Sequence, residues 1–307
     1  MSQPLIVIDR IGKGPVEEKV WGGRWLSLLY GDSLFAKTAG KALLHLIVRW
    51  PWFSWLAGKY YNSSCSRKGI PAFCQRFHID TSEQTVPLDQ YRSFNDFFTR
   101  RLKTEIRRQD PDPQVITIPA DGRYQFFPVL GSNSSFSVKG LCLGLEKLLH
   151  SAPLAARFYG GIGVLCRLCP ADCHRFFFPT KGRTGATSWI HGSLFSVNPI
   201  ATKRFPWIMW SNRRAITLVE LPDSSTMAYI EIGATNCGSI IQEFVPNTWV
   251  RKGQEKGFFK LGGSAVFLLF EPERVRLSQD LLDLSATGHE VLCRIGQPLA
   301  RFTPREG

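Results

Sequence analysis

The sequence predicts an α+β protein, with N-terminal amphipathic helices followed by a mostly antiparallel, β-rich core. Three observations predict it. The first sixty or so residues carry aromatic and basic side chains in amphipathic, helix-like runs; a second helical pattern follows at Tyr91–Lys103; and from about Val115 short β-type runs alternate with turn residues. A boundary near residue 110 divides the chain into a helical, membrane-associating region (1–110) and a β-rich core (111–307).

In the first region, "LLHLIVRWPWFSWLAGKYY" sets Trp50, Trp52, Phe53, Trp55, Tyr60 and Tyr61 beside Arg49 and Lys59. Trp and Tyr settle at headgroup depth while basic side chains meet anionic lipid, so the pattern predicts a helix lying on a membrane. Packing of the same rings into the protein's own core is the other use. No transmembrane helix is expected, because the longest apolar stretch, Ala42–Ala57, is broken by His45, Arg49 and Pro51. In "YRSFNDFFTRRLK", Ser93 is the expected N-cap and Phe94, Phe97, Phe98 and Leu102 share a face. Arg100, Arg101 and Lys103 add positive charge toward the C-terminal end, where cations are favoured. In the core, "QVITI", "GVLCRL", "RAITLVEL" and "MAYIEIGA" read as strands punctuated by Gly, Pro, Asn and Asp.

The 38 Lys and Arg against 25 Asp and Glu give a formal charge of +13, which calls for an anionic partner: nucleic acid, acidic lipid or a phosphorylated small molecule. The basic residues are scattered ("RRLK", "KRF", "NRRAI") and form no nucleic-acid module, so no nucleic-acid partner is expected. The N-terminus lacks the apolar centre of a secretory signal, and the cysteines have no disulfide-scaffold density, which predicts a protein that is not secreted. "CRLCPADCH" brings Cys166, Cys169, Cys173 and His174 together in the manner of metal ligands. The spacing matches no standard finger, and within a strand Cys166 and Cys169 point to opposite faces, so no metal is expected.

The chemistry centres on "FFKLGGSAVFLLFEP". A Gly-Ser junction suits attack by a serine hydroxyl on the carbonyl of its own preceding peptide bond. Gly263 leaves that carbonyl unshielded and permits the backbone angles that bring the Ser264 Oγ towards it. The resulting ester can undergo β-elimination and hydrolysis, leaving a chain that begins with a pyruvoyl group. The plainer alternative is a Gly-Gly turn into a strand, with Ser264 as a capping hydroxyl.

"SFNDFFTRRLK", "PADGR", "FSVKGLCLGLEKLL", "PADCHRFFFP", "HGSLFSVNP", "IEIGATNCGSI", "EKGFFKLGGSAVFLLF" and "RIGQPLARF" follow one another from about Tyr91 to Phe302. In order and approximate spacing they resemble the phosphatidylserine decarboxylase family, most closely its members with Gly-Gly-Ser at the processing site. The resemblance implies conversion of phosphatidylserine to phosphatidylethanolamine and CO2, through a Schiff base with a self-generated pyruvoyl group. It implies cleavage between Gly263 and Ser264 into a β chain, 1–263, and an α chain, 264–307. It also implies a homodimer on an anionic lipid surface, peripheral and on the cytoplasmic side of the membrane.

Residue by residue, the resemblance makes Ser264 the precursor of the pyruvoyl group and Asp121, in "PADGR", the carboxylate that orients the self-cleavage base. An Asp-Gly turn is the structural alternative for Asp121. His174 matches the histidine that handles substrate and returns a proton during decarboxylation; a core histidine bonded to backbone is its alternative. The self-cleavage base itself falls on Phe177, which cannot accept a proton, and Ala265 stands where the family often has Thr or Ser. Three readings of Phe177 stay open: a substitute base, with His174 or His191 as candidates; an uncleaved pseudoenzyme that keeps a lipid-binding surface; or a sequence change that blocks processing.

Overall fold

Strand Ser264–Phe270 is buried along its whole length, the condition of a strand with neighbours on both edges and apolar matter on both faces. The computed structural model describes residues 5–30, 51–131, 136–138, 141–234, 239–262 and 264–304. Numbered in chain order, the strands of the principal, ten-stranded sheet lie as β13 (Trp249–Val250), β9 (Gly182–Ile190), β10 (Arg214–Glu220), β11 (Thr226–Gly233), β15 (Ser264–Phe270), β7 (Ile162–Leu168), β4 (Gly122–Phe127), β17 (Glu290–Cys293), β1 (Leu5–Asp9) and β2 (Pro15–Glu18). Every adjacent pair is antiparallel except β1 with β17. Two three-stranded sheets accompany it: β12 (Ile240–Gln242), β14 (Glu255–Phe259) and β8 (Arg175–Phe177), then β16 (Val275–Leu277), β18 (Pro298–Phe302) and β3 (Val115–Thr117). A hairpin pairs β5 (Phe136–Val138) with β6 (Leu141–Leu143). The expected α+β class with a mostly antiparallel β-rich core is the observed one.

The strand period of two divides the core into two layers. Val266, Leu268 and Phe270 of β15 share one face with Cys166 and Leu168 of β7 and with Met227 and Tyr229 of β11; Phe176 of β8 and Phe259 of β14 close over them. Ala265, Phe267 and Leu269 share the other face with Leu165, Ile230 and Ile232, covered by Leu148 and Leu149 from helix Leu145–Leu149 and Met209 from helix Ile208–Ser211.

The N-terminal region differs from the helical reading. Residues 5–18 form β1 and β2, which extend the main sheet at its edge, with Val7 and Ile8 buried. Three successive β-branched residues, Ile6, Val7 and Ile8, favour the extended chain over the helix. Helices Gly23–Tyr30 and Pro51–Asn62 do occupy this region. Much of the Ala42–Ala57 run, with Trp50, lies outside the described residues, and among those described no helix is long and apolar enough to cross a membrane.

Ser93 caps as its type predicts: its hydroxyl accepts from the Asp96 N–H at 3.2 Å and opens a short helix, Phe94–Phe98. Phe94, Phe97 and Phe98 pack against Ile70, Phe73 and Leu261. Leu102 lies beyond the helix and bridges to Gln84. The glycine of "PADGR" is not a turn residue: Gly122 opens β4 at a close crossing with β7. A Cβ there would fall 2.5 Å from the Cys166 Sγ and 2.8 Å from the Arg167 carbonyl oxygen. Gly122→Ala is expected to cost about 1–3 kcal/mol of stability, read as a lower urea midpoint at unchanged slope.

Candidate active site

Ser264 is fully enclosed, and its register is pinned on both edges by Gly233 of β11 and Leu168 of β7. Its Oγ has no hydrogen-bond partner. An unsatisfied buried hydroxyl costs about 1–3 kcal/mol, so the plain capping role finds no acceptor or donor here. Gly263 lies outside the described residues. Gly262, with φ at 144°, adopts a conformation that side chains resist.

His174 leads into β8 and is likewise fully enclosed. Its Nδ1 donates to the Asp172 carbonyl oxygen at 3.1 Å, and its ring lies 3.8 Å, centroid to centroid, from Phe98. With Nδ1 carrying the hydrogen, Nε2 presents a lone pair, and that atom too is buried without a hydrogen-bond partner. Burial drives the ring's pKa from 6.5 down to about 3; the Asp172 backbone opposes this, the nearby Arg100 guanidinium adds to it, and the backbone of Gly262, two residues before Ser264, opposes it. Burial thus favours the uncharged form of the His174 ring at neutral pH.

The Asp121 carboxylate does not engage a histidine. Arg107 holds both its oxygens, donating from Nε at 3.1 Å to each and from Nη2 to Oδ2 at 3.0 Å, while the Ile295 N–H donates to Oδ1 at 2.8 Å. The same guanidinium reaches Glu83, at 2.8 Å to Oε2. Phe177 passes close by in the chain sense: its N–H donates to the Pro119 carbonyl, two residues before Asp121, at 2.9 Å. Position 177 thus borders the Asp121 segment, but phenylalanine offers the carboxylate nothing and Arg107 takes it.

His191 is exposed at the end of β9. Following the register Ile190, Arg214, Ile232 and Ala265 across the sheet, it stands level with Ser264 but three strands away, at about 4.8 Å per strand. The structure brings His174 to the backbone of Gly262, two residues before Ser264; it does not bring His191 there.

The sequence matches the profile of the family described as phosphatidylserine decarboxylase over residues 94–300. The phosphatidylserine decarboxylase proenzyme of Chlamydia muridarum is 41% identical over 262 residues, covering 85% of this chain and 87% of that one. Its counterpart from Chlamydia pneumoniae is 40% identical over 299 residues (97% and 98%), and that from Clostridium kluyveri 37% over 282 (92% and 94%). The chain belongs to the phosphatidylserine decarboxylase family. The matched span takes in the Ser93-capped helix, Asp121, His174 and Ser264.

Two features of this decarboxylase-family chain were not predicted. A cavity of about 310 Å3 has Ala265 in its wall together with Gln125, Arg167, Lys203, His289 and Glu290. Because Ala265 and Ser264 point to opposite faces of β15, the cavity opens on the face opposite the Ser264 side chain. Its Arg167 belongs to the second feature, a buried ion network. Arg167 holds Glu18 at 2.8 Å and Glu290 at 2.5 Å, and Arg123 pairs with Glu18 at 2.8 Å and with Asp172. The signal for both arginines was charge inside otherwise apolar strand runs, "GVLCRL" and "GRYQFF".

The three cysteines weighed as metal ligands are buried, and burial raises all three thiols, Cys169 to about 12 and Cys173 to about 11. Among the described residues no three His, Cys, Asp or Glu side chains gather as a ligand set.

Burial alone would raise the Glu18 carboxyl, but Arg167 and then Arg123 overcome it and hold it at about 2, against an ordinary 4.5. A depressed carboxyl stabilises the fold fully above its unfolded value and loses that contribution as pH falls towards the folded one. Chemical denaturation between pH 5 and pH 2 should therefore show a loss of about 3 kcal/mol that is absent from Glu18→Gln.

Proposed function

We propose that the chain is a phosphatidylserine decarboxylase, made as one polypeptide that splits before Ser264 into chains 1–263 and 264–307. The observation that carries this reading is the enclosed, unpartnered Ser264 hydroxyl at the head of β15, in a chain of this family. The site fits a pyruvoyl group at position 264. Position 264 is wholly enclosed, and the facing residue on β11, Gly233, carries no side chain. The pyruvoyl carbonyl would supply an electron sink for the carbon that loses CO2.

The chain's own residues do the rest. His174, anchored through Nδ1 and uncharged, offers Nε2 to take a proton and return it to the substrate carbon after CO2 departs. Phe98 and Phe176, both fully buried, keep water from the reacting atoms. The cavity beside Ala265 lies on the other face of β15 from Ser264, and its Arg167 is already paired with Glu18 and Glu290, so it stays outside this reading of the reacting atoms. The +13 charge draws the protein to anionic lipid, and Leu56 and Tyr60, exposed one helical turn apart, offer an apolar contact to the membrane surface.

Denaturing intact-mass measurement of purified protein should find two chains, the smaller with a blocked N-terminus, and release of CO2 from phosphatidylserine in mixed micelles. Ser264→Ala should remain a single 34.7 kDa chain with no release; a parent that also stays whole refutes the reading. Phe177→His, which returns a base beside Asp121, should split faster than the parent, and identical time courses would clear Phe177 of slowing maturation.

A further inference from the structure

A buried ion pair shares the sheet face of Ser264. Lys256 of β14 and Glu231 of β11 are both wholly enclosed. The Lys256 Nζ donates to the Glu231 Oε1 at 2.5 Å, the Gln242 Oε1 at 2.8 Å and the Thr217 Oγ1 at 3.0 Å. The Gln242 amide donates in turn to the Glu231 Oε2 at 3.2 Å, the longer and weaker hold. Rings of Tyr229 and Phe244 at 4.8 Å, Phe178 at 5.8 Å and Phe176 at 5.9 Å surround the ammonium. A buried pair of this kind adds little stability over apolar residues of equal volume, so stability alone does not account for it.

Its position suggests a role. Gly233 faces Ser264 across the β11–β15 ladder, and Glu231 faces Val266 one step along the same face. Diagonal neighbours at that spacing are within reach of a long side chain, and Gly233 puts nothing in the way. Phe176 and Phe178, which wall the ammonium, flank Phe177, where the histidine expected for self-cleavage is missing. Two fully buried groups on this side of the core, His174 and Glu231, divide as bases. Burial weakens His174, whose pKa falls to about 3, whereas burial raises the Glu231 carboxyl against the opposing pull of Lys256, and so strengthens it as a proton acceptor.

We propose that Glu231, steadied by Lys256, accepts the Ser264 hydroxyl proton during chain splitting, in place of a histidine at position 177. This rests on the Ser264 reading above. The Glu231 Oε2 turns from Gln242 to the hydroxyl and takes its proton as Oγ bonds to the Gly263 carbonyl carbon. That carbon then expels the Ser264 nitrogen, which receives the proton back from Glu231 and becomes an amine, leaving an ester. Transfer of the residue 264 α-proton to water expels the Gly263 carboxylate from Cβ; the enamine left behind tautomerises to an imine, and water replaces its nitrogen, released as ammonia. No oxidant or reductant is needed.

The test follows splitting by denaturing mass measurement in freshly translated full-length chain, with folding monitored by circular dichroism. The apolar pair Glu231→Leu/Lys256→Met should fold yet split at least about 100-fold more slowly than the parent. Adding Phe177→His to that pair should restore splitting, which a structural defect would not allow. Parent-like splitting of the double variant overturns the proposal, as does slow splitting that Phe177→His fails to rescue in folded protein. Should the double variant not fold, Glu231→Gln decides by the same rate criterion. A parent that never splits overturns the Ser264 reading itself, a result distinct from a splitting parent with an equally fast variant.

Discussion

The site depends on the register of β15. Seven residues of this strand are paired on one edge with β11 and on the other with β7. Because side chains alternate, a slip by one residue would put Ala265 where Ser264 now faces and turn the hydroxyl to the other layer of the core. The apolar run that follows Ser264 prevents this: Val266, Leu268 and Phe270 fill one layer while Ala265, Phe267 and Leu269 fill the other. The strand's hydrophobicity thus sets the direction of its first, polar residue.

Around that strand, polar groups are buried in two different ways. The Glu18, Arg123, Arg167 and Glu290 network is saturated with opposite charge, and the carboxyl at its centre is held ionised. At the other extreme, the Ser264 Oγ and the His174 Nε2 are enclosed with no hydrogen-bond partner. The first arrangement ties β2 to β4, β7 and β17 across the sheet. The second withholds the hydrogen bonds that would stabilise a ground state, leaving one donor and one lone pair available for chemistry.

Much of this was legible. The Ser93 cap, the buried strand after Ser264 and the α+β class follow from residue type and period, because local rules and tertiary packing agree there. Cys166 lies within β7, whereas Cys169 falls just past its end, so the strand period does not reach it. Where the sequence misled, long-range pairing outweighed local pattern. Leu5–Asp9 became a strand because β17 lay alongside to receive it, and Asp121 met Arg107, a partner that no spacing rule connects to it. Glu231 in "MAYIEIGA" carried an unread signal: a carboxylate in the middle of a buried strand requires a cation, and only the fold shows that the cation is Lys256. The cavity beside Ala265 was invisible for the same reason, since its walls come from elements scattered from Leu5 to Glu290.

The order of strands in the main sheet bears on what holds the molecule together once a backbone bond is lost. Residues from 264 onward contribute β15 between β11 and β7, and β17 between β4 and β1, so this short C-terminal piece is woven into the sheet at two separate places. It also supplies β18, flanked by β16 and β3. A nick ahead of residue 264 therefore cuts the covalent thread without loosening the weave. Under native conditions the two pieces would travel as a single particle, and only a denaturant that melts both ladders would reveal that they are two.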